Sequence, residues 1–361
     1  MIKQTLKNTR SFIADFYDLF DQIPQDYSFF VFGTHGVELH SLLYYISMMK
    51  TTDEKKVLPS SMFTFRRDID WMGDLITLRF REKMLKETRS PIIGKWGITF
   101  DGGVKKRKWI ERNFSHKVPA VVLVRDPILA LASFANFEIF LQIQKNHKID
   151  FDNLKKYVLN NLMAIVGYKQ NIAPLKPYCE SILYIDCCEL QGKTTFGTLK
   201  KIAQFLGVEI SQSSDFQKSI NSPIQRYFSR VLFLGDTPYY LSSLSRVFLL
   251  ESYPDYIEKN VFYEIELDIK LLNEYGLKLF AEEKYIKILL TKKSDIEKNL
   301  DLEIEKFKNL MKIYNESKIT QETIKEWIDS STGDLIYREV ADTPLEIRKT
   351  WNSFINKDIF C

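Results

Sequence analysis

Short apolar runs that pass directly into stretches of helical spacing organise the first two thirds of the chain. "YSFFVFGTHGVELHSLLYYISMMK" predicts a buried strand over Ser28 to Phe32, a loop, and a helix from about Glu38. A strand covered on both faces reads as such a continuous apolar run, without alternation. "SPIIGKWGITF" predicts a second strand around Pro91 to Lys95, and "KVPAVVLVRDP" a third and stronger one, with "ILALASFANFEIFLQIQ" as its helix. A helix from about Phe151 to Gln170 leads to "SILYID", a fourth strand. "KTTFGTLKKIAQFLGV" is then an amphipathic helix, with Phe196, Leu199, Ile202 and Phe205 spaced to cover one face.

Strand and helix in alternation predict an α/β fold, a mostly parallel sheet flanked by helices. Past Gly207 the pattern changes. "SQSSDFQKSINSPIQRYFSR" is polar, and residues from about 262 to 328 are charged with apolar positions at helical spacing. The organisation expected is an N-terminal helix over 1–24, an α/β core over 25–210, and a mainly helical section over 211–361 serving as acceptor site, lid or assembly surface.

Composition narrows the class without naming a chemistry. The 361 residues are 45% apolar and 27% charged, the profile of an ordinary globular protein. A net charge of +4 falls short of the basic signature of a dedicated nucleic-acid binder. Cys179, Cys187, Cys188 and Cys361 form no CxxC pair and no Cys/His cluster with zinc spacing, so no metal site is expected. Adjacent Cys187 and Cys188 suit a reducing compartment. The N-terminus has no apolar core of signal-peptide type, and no run approaches the roughly 18 uninterrupted apolar residues of a membrane span. A cytoplasmic protein without a transmembrane segment is the expectation, and lysine-rich, alanine-poor usage suggests a low-GC bacterial genome.

One residue does not fit a plain strand-to-helix junction. Arg125 ends the third strand, and in a parallel sheet ligands bind outside the carboxyl ends of the strands. Its guanidinium suits bidentate phosphate binding, with Ser133, eight residues on, as a further donor. The alternative is an ion pair with a neighbour such as Asp126, with Ser133 a small packing residue.

The segment "LVRDPILALASFAN" resembles the one by which sulfotransferases bind the 3'-phosphate of their nucleotide donor. There too an arginine ends the strand and a serine follows eight residues later. "ILYIDCCELQGKTTFGTLKKIAQFLGV" is similar to the family's strand, acidic turn and following helix, carried by Leu199, Ile202, Phe205, Leu206 and Gly207. "IIGKWG", with Lys95, resembles the family's short strand and lysine. These segments span roughly residues 25 to 210.

The resemblance implies a sulfotransferase or P-loop-like fold, and a group transferase that binds a nucleotide donor as co-substrate with no tightly bound cofactor. Arg125 and Ser133 would hold the nucleotide, and Lys95 would neutralise charge developing at the transferred group. The first loop, "FGTHGVELHS", would cradle phosphate through Gly33, Thr34 and Gly36. It departs from the family in lacking a cation and in carrying Glu38 and His40 where small donors are usual. Gly97 falls where relatives have a histidine, which leaves His35, Glu38, His40 and Asp101 as candidates for the general base. Cys187 and Cys188 replace aromatic and acidic residues in the acidic turn. Arg226 in "SPIQRYFSR" is a candidate phosphate contact, and "VKKRKW", Val104 to Trp109, is the most basic cluster.

Three functions follow from the resemblance and its departures. One is transfer of a sulfuryl group from 3'-phosphoadenosine 5'-phosphosulfate to a hydroxyl acceptor, by analogy a carbohydrate. The second keeps the fold but uses another activated nucleotide, placing a phosphoryl or phosphoramidate group on a capsular or other surface polysaccharide. The third is a non-catalytic relative that assembles, as a homo-oligomer for instance, through its C-terminal helices.

Overall fold

The computed structural model describes residues 26–60, 91–101, 111, 114–212, 223–228, 230–242 and 262–351. The helix expected over 1–24 and the basic cluster at 104–109 lie outside the described residues. The chain divides into two compact units. The first holds 1–135, 151–218 and 319–361, and the second holds 136–150 and 219–318.

The first unit is built on five strands: β1 (Phe29–Gly33), β2 (Lys56–Ser60), β3 (Ile93–Asp101), β4 (Val118–Val124) and β5 (Cys179–Asp186). Their order is β2-β3-β1-β4-β5 and every pairing is parallel. All five residues of β1 are buried, as are six of the seven in β4. That is why these two read as unbroken apolar runs. The chain leaves β1 toward β2, returns through β3, and crosses to the other side of β1 to make β4. Strand order therefore reverses at β1, and its loop diverges from that of β4 at their shared carboxyl edge. Such a switch point is where open α/β sheets bind ligands.

The helices α1 (Leu39–Ser47), α2 (Pro127–Gln144), α3 (Phe151–Asn160), α4 (Leu162–Val166), α5 (Tyr168–Ile172) and α6 (Thr195–Leu206) follow the strands. The single helix expected over Phe151 to Gln170 is thus three short ones, interrupted at Asn161 and Gly167. Among the described residues α2 alone has the length and apolar composition of a membrane span. Ile128, Leu131, Ala135 and Ile139 on it are fully buried inside the protein.

β3 corrects the expected second strand. It runs Ile93–Asp101 rather than Pro91 to Lys95, with Gly97 opposite Phe29 and Asp101 opposite Gly33. Lys95 therefore lies at the amino end of the sheet, six residues before the carboxyl edge. Its ammonium donates to the carbonyls of Leu206 (2.7 Å) and Gly207 (3.0 Å), at the end of α6, where Gly207 adopts φ 61°. A cation on the last carbonyls of a helix satisfies orphan acceptors and complements the helix dipole. Lys95→Met should lower stability by about 1 kcal/mol, read as a lower urea midpoint at constant m-value.

The second unit contains α7 (Pro223–Phe228), β6 (Arg230–Leu234), β7 (Thr237–Ser242), β8 (Phe262–Ile265), α8 (Lys270–Tyr275), β9 (Lys278–Glu282), α9 (Glu283–Thr291) and α10 (Lys293–Ser317). Its strands form an antiparallel sheet in the order β6-β7-β9-β8. The region is largely helical, as expected, but 262–290 is not one helical stretch. Gly276, at φ 61°, ends α8 and lets "KLFAE" extend as β9. The long α10 buries Ile296, Leu300, Ile304 and Phe307, with the Phe307 ring 5.3 Å from that of Tyr227.

The chain then returns to the first unit through α11 (Gln321–Trp327), α12 (Ser330–Val340) and α13 (Leu345–Arg348). Thr320 and Asp329 accept from the Thr323 and Thr332 N–H groups, capping α11 and α12. Glu339 on α12 accepts from the Gln170 N–H (2.8 Å), and Asp342 pairs with Lys176 (2.6 Å). The fully buried Trp351 donates its indole N–H to Asp186 at the end of β5 (2.6 Å).

Candidate functional site

The site forms where β1, β4 and β5 end together. β1 stops at Gly33, and the loop that follows turns through Gly36 at φ 83°. A Cβ on Gly36 would stand 2.7 Å from the Ala130 carbonyl oxygen on α2, so only glycine allows this approach. The loop is also tied to α4, since the His35 N–H donates to the Ala164 carbonyl (3.0 Å). Glu38 closes the loop in the left-handed region at φ 57° and precedes α1 without a side-chain cap. Its carboxylate accepts from the Gln191 amide (2.9 Å), joining the end of β1 to the segment after β5.

Arg125 connects the second pair of ends. One guanidinium nitrogen, Nη1, donates to the Gly36 carbonyl (2.7 Å), while Asp126 accepts from the Ile128 N–H (2.9 Å) at the start of α2. Among the described residues no carboxylate lies within ion-pair distance of Arg125. The bond to Gly36 occupies Nη1 and leaves Nη2 and Nε with no protein acceptor among those residues. The Tyr168 hydroxyl accepts the Arg125 N–H (3.2 Å) and donates to the Arg125 carbonyl (2.8 Å). Burial pushes the Tyr168 phenol far up, and Thr34, buried at the end of β1, lies beside it.

The remaining predicted residues fall on both sides of this focus. Ser133 lies two turns into α2, next to Phe134, whose ring is 5.8 Å from that of His35. His40 is the second residue of α1, half-buried. Asp101 ends β3 beside Gly33, so its backbone reaches the same carboxyl edge. Gly33, Thr34, His35, Gly36, Glu38, His40, Asp101, Arg125 and Ser133 thus gather at one end of the sheet.

Lys95 does not join them. It is at the opposite end, bound to helix carbonyls, and cannot neutralise charge at the switch point. Gly97 cannot have carried a base either: a Cβ there would fall 2.1 Å from the buried Phe29 ring, and the position is at the amino end of β1. Arg226 belongs to α7 of the second unit, and its side chain lies outside the described residues.

The acidic turn after β5 is structural. Asp186 is buried and accepts from the Cys188 N–H (3.0 Å), while Glu189 accepts from the Asp186 N–H (3.2 Å), a capping box. Cys179, Cys187 and Cys188 are free thiols. Burial pushes Cys188 up to about 12, aided by its bond to Asp186, Cys179 up to about 11, and Cys187 well above its ordinary value. These thiols stay protonated at neutral pH and are not nucleophiles. Native Cys188 should alkylate with iodoacetamide at pH 8 on the order of a thousandfold more slowly than free cysteine. Above about pH 9 the unfolded thiols ionise while the folded ones remain protonated, so stability falls as pH rises from there toward 12.

Tyr168, Gln191 and Trp351 complete the surroundings and carry no sequence motif. Each acts on a group more than 40 residues away, and Arg125 is bound partly through backbone atoms that any residue supplies.

No known family model and no curated protein matches the chain. A similar solved structure is the mouse sulfotransferase SULT7A1 complexed with PAP, at 14% identity and a TM-score of 0.32, with 53% of this chain and 62% of that chain covered.

Proposed function

We propose that the chain is a sulfotransferase-like group transferase that binds a 3'-phosphorylated adenosine donor at the β1–β4 switch point and transfers its sulfuryl group to an acceptor hydroxyl, a carbohydrate by analogy. The observation that carries the reading is the Arg125 guanidinium. It is held at the carboxyl edge by the Gly36 carbonyl and has no carboxylate partner among the described residues. Its remaining N–H groups suit a phosphate, and Ser133 follows two turns along α2 as the family pattern requires. In the step itself the acceptor oxygen bonds to sulfur while the bond from sulfur to the donor's phosphate oxygen breaks. The hydroxyl proton passes to a base drawn from His35, Glu38, His40 and Asp101, and the nucleotide leaves with the bond electrons. Charge on the transferred group is met by N–H groups of the first loop, since Arg125 is engaged by the 3'-phosphate and Lys95 is elsewhere.

Glu38 favours a second reading. Its carboxylate stands at the start of α1, where phosphosulfate would otherwise lie, and a fixed negative charge there repels that group. The same site would then take another activated nucleotide, as for transfer of a phosphoryl or phosphoramidate group to a surface polysaccharide.

Thermal shifts distinguish the readings. A ligand at a hundredfold over its Kd stabilises by about 2.7 kcal/mol, several degrees for a protein of this kind. Stabilisation of the wild type by 3'-phosphoadenosine 5'-phosphate, lost in Arg125→Ala, is the expected result. A response to cytidine, uridine or guanosine nucleotides alone transfers the assignment to the second reading. Silence toward all of them rejects both and leaves a non-catalytic role.

A further inference from the structure

The Tyr168 hydroxyl spans 43 residues of sequence to bond both backbone polar groups of one amino acid, Arg125. β4 ends at Val124, so the Arg125 N–H and C=O lie just beyond the sheet and have no ladder partner. A buried peptide group left in that state carries a penalty comparable to a lost hydrogen bond. A packing contact would not require the hydroxyl to donate and accept at once. Used in both directions, it fixes the orientation of the peptide planes that flank Arg125, and with them the direction in which the side chain leaves the strand. The guanidinium is then fastened at its far end by the Gly36 carbonyl (2.7 Å).

Tyr168 is itself held. It opens α5, and the Gln170 N–H of that helix is accepted by the buried Glu339 carboxylate on α12. Lys169 and Lys176 both face Asp342, two residues past the end of α12. A line of hydrogen bonds thus runs from the C-terminal return through α5 to the backbone of Arg125.

We propose that Tyr168 is a positioning residue that orients the Arg125 guanidinium for an anionic ligand, with Glu339 holding α5 in place behind it. The proposal rests on the reading of Arg125 as the anion-binding group, and its test keeps the two separable. Purified full-length Tyr168→Phe, Arg125→Ala and the double variant are titrated with 3'-phosphoadenosine 5'-phosphate. In parallel, phenylglyoxal modification of Arg125 is followed by mass spectrometry, relative to Arg338, in protein without nucleotide.

Tyr168→Phe should weaken nucleotide binding roughly tenfold and raise the Arg125-to-Arg338 modification ratio severalfold. In the Arg125→Ala background the same change should leave affinity untouched, because a residue that acts only through Arg125 has nothing left to orient. A modification ratio equal to that of the wild type overturns the proposal, as does an affinity loss that persists when Arg125 is absent. If the wild type binds no nucleotide, the functional reading fails while the modification ratio still decides the role of Tyr168. Should Tyr168→Phe not fold, Glu339→Leu is tested by the same ratio: a rise supports the chain of support and no change rejects it.

Discussion

Trp351→Ala should destabilise the first unit by about 3–5 kcal/mol, the range for deleting a buried tryptophan. The side chain is 2% exposed and its indole N–H donates to Asp186, itself 3% exposed, at 2.6 Å. Truncation opens a cavity and leaves one oxygen of a buried carboxylate without its donor. The other oxygen continues to accept from the Cys188 N–H, so the turn after β5 is loosened without being released. Trp351→Phe separates the two contributions. It keeps an aromatic ring in the space, loses the hydrogen bond, and should stabilise less than wild type by about 1–3 kcal/mol. Urea midpoints at constant m-value measure both. A loss under 1 kcal/mol for Trp351→Ala would mean that the C-terminal return rests on the sheet unit without being part of its fold.

That return was not legible in the sequence. Residues 319–351 resemble any charged amphipathic segment, and the tie from Trp351 to Asp186 spans 165 residues. β1 and β4, by contrast, announce themselves, because a strand buried on both faces has no choice but a continuous apolar run. β3 was only half visible. Gly94, Lys95 and Gly97 interrupt its apolar character, yet each is explained by what it meets: Thr51 and Lys55, helix carbonyls, and the Phe29 ring. β9 was misread as helix because "KLFAEEKYIKILL" joins a strand to a helix with no glycine or proline between them.

The site was legible to a similar depth. Arg125 stood out because an arginine at the end of an apolar run has to answer to something at the carboxyl edge. Its partners could not be read, since the Gly36 carbonyl is a backbone atom and the Tyr168 phenol arrives from an element with no motif. Lys95 illustrates the converse error. A lysine near a strand suggests a phosphate contact until the strand's true length puts it at the wrong end of the sheet.

Gly36→Ala should be the most damaging single methyl group in the site. The position sits at φ 83°, where a side chain adds roughly 1–2 kcal/mol of backbone strain. Its new Cβ would also meet the Ala130 carbonyl oxygen at 2.7 Å, a backbone atom in a buried helix that cannot swing aside. Overpacking of this kind costs about 1–3 kcal/mol more. The loop must therefore shift, and the Gly36 carbonyl that shifts with it is the acceptor for Arg125. Stability and, on the proposed function, nucleotide binding should fall together, by about 2–4 kcal/mol and by at least tenfold. Gly192→Ala is the matched control: its φ is 65°, but nothing stands within 4 Å of the added methyl group. It should show the strain alone and bind as the wild type does. Equal losses at the two positions would trace the effect to backbone conformation, and the close approach of the first loop to α2 would then have no part in holding Arg125.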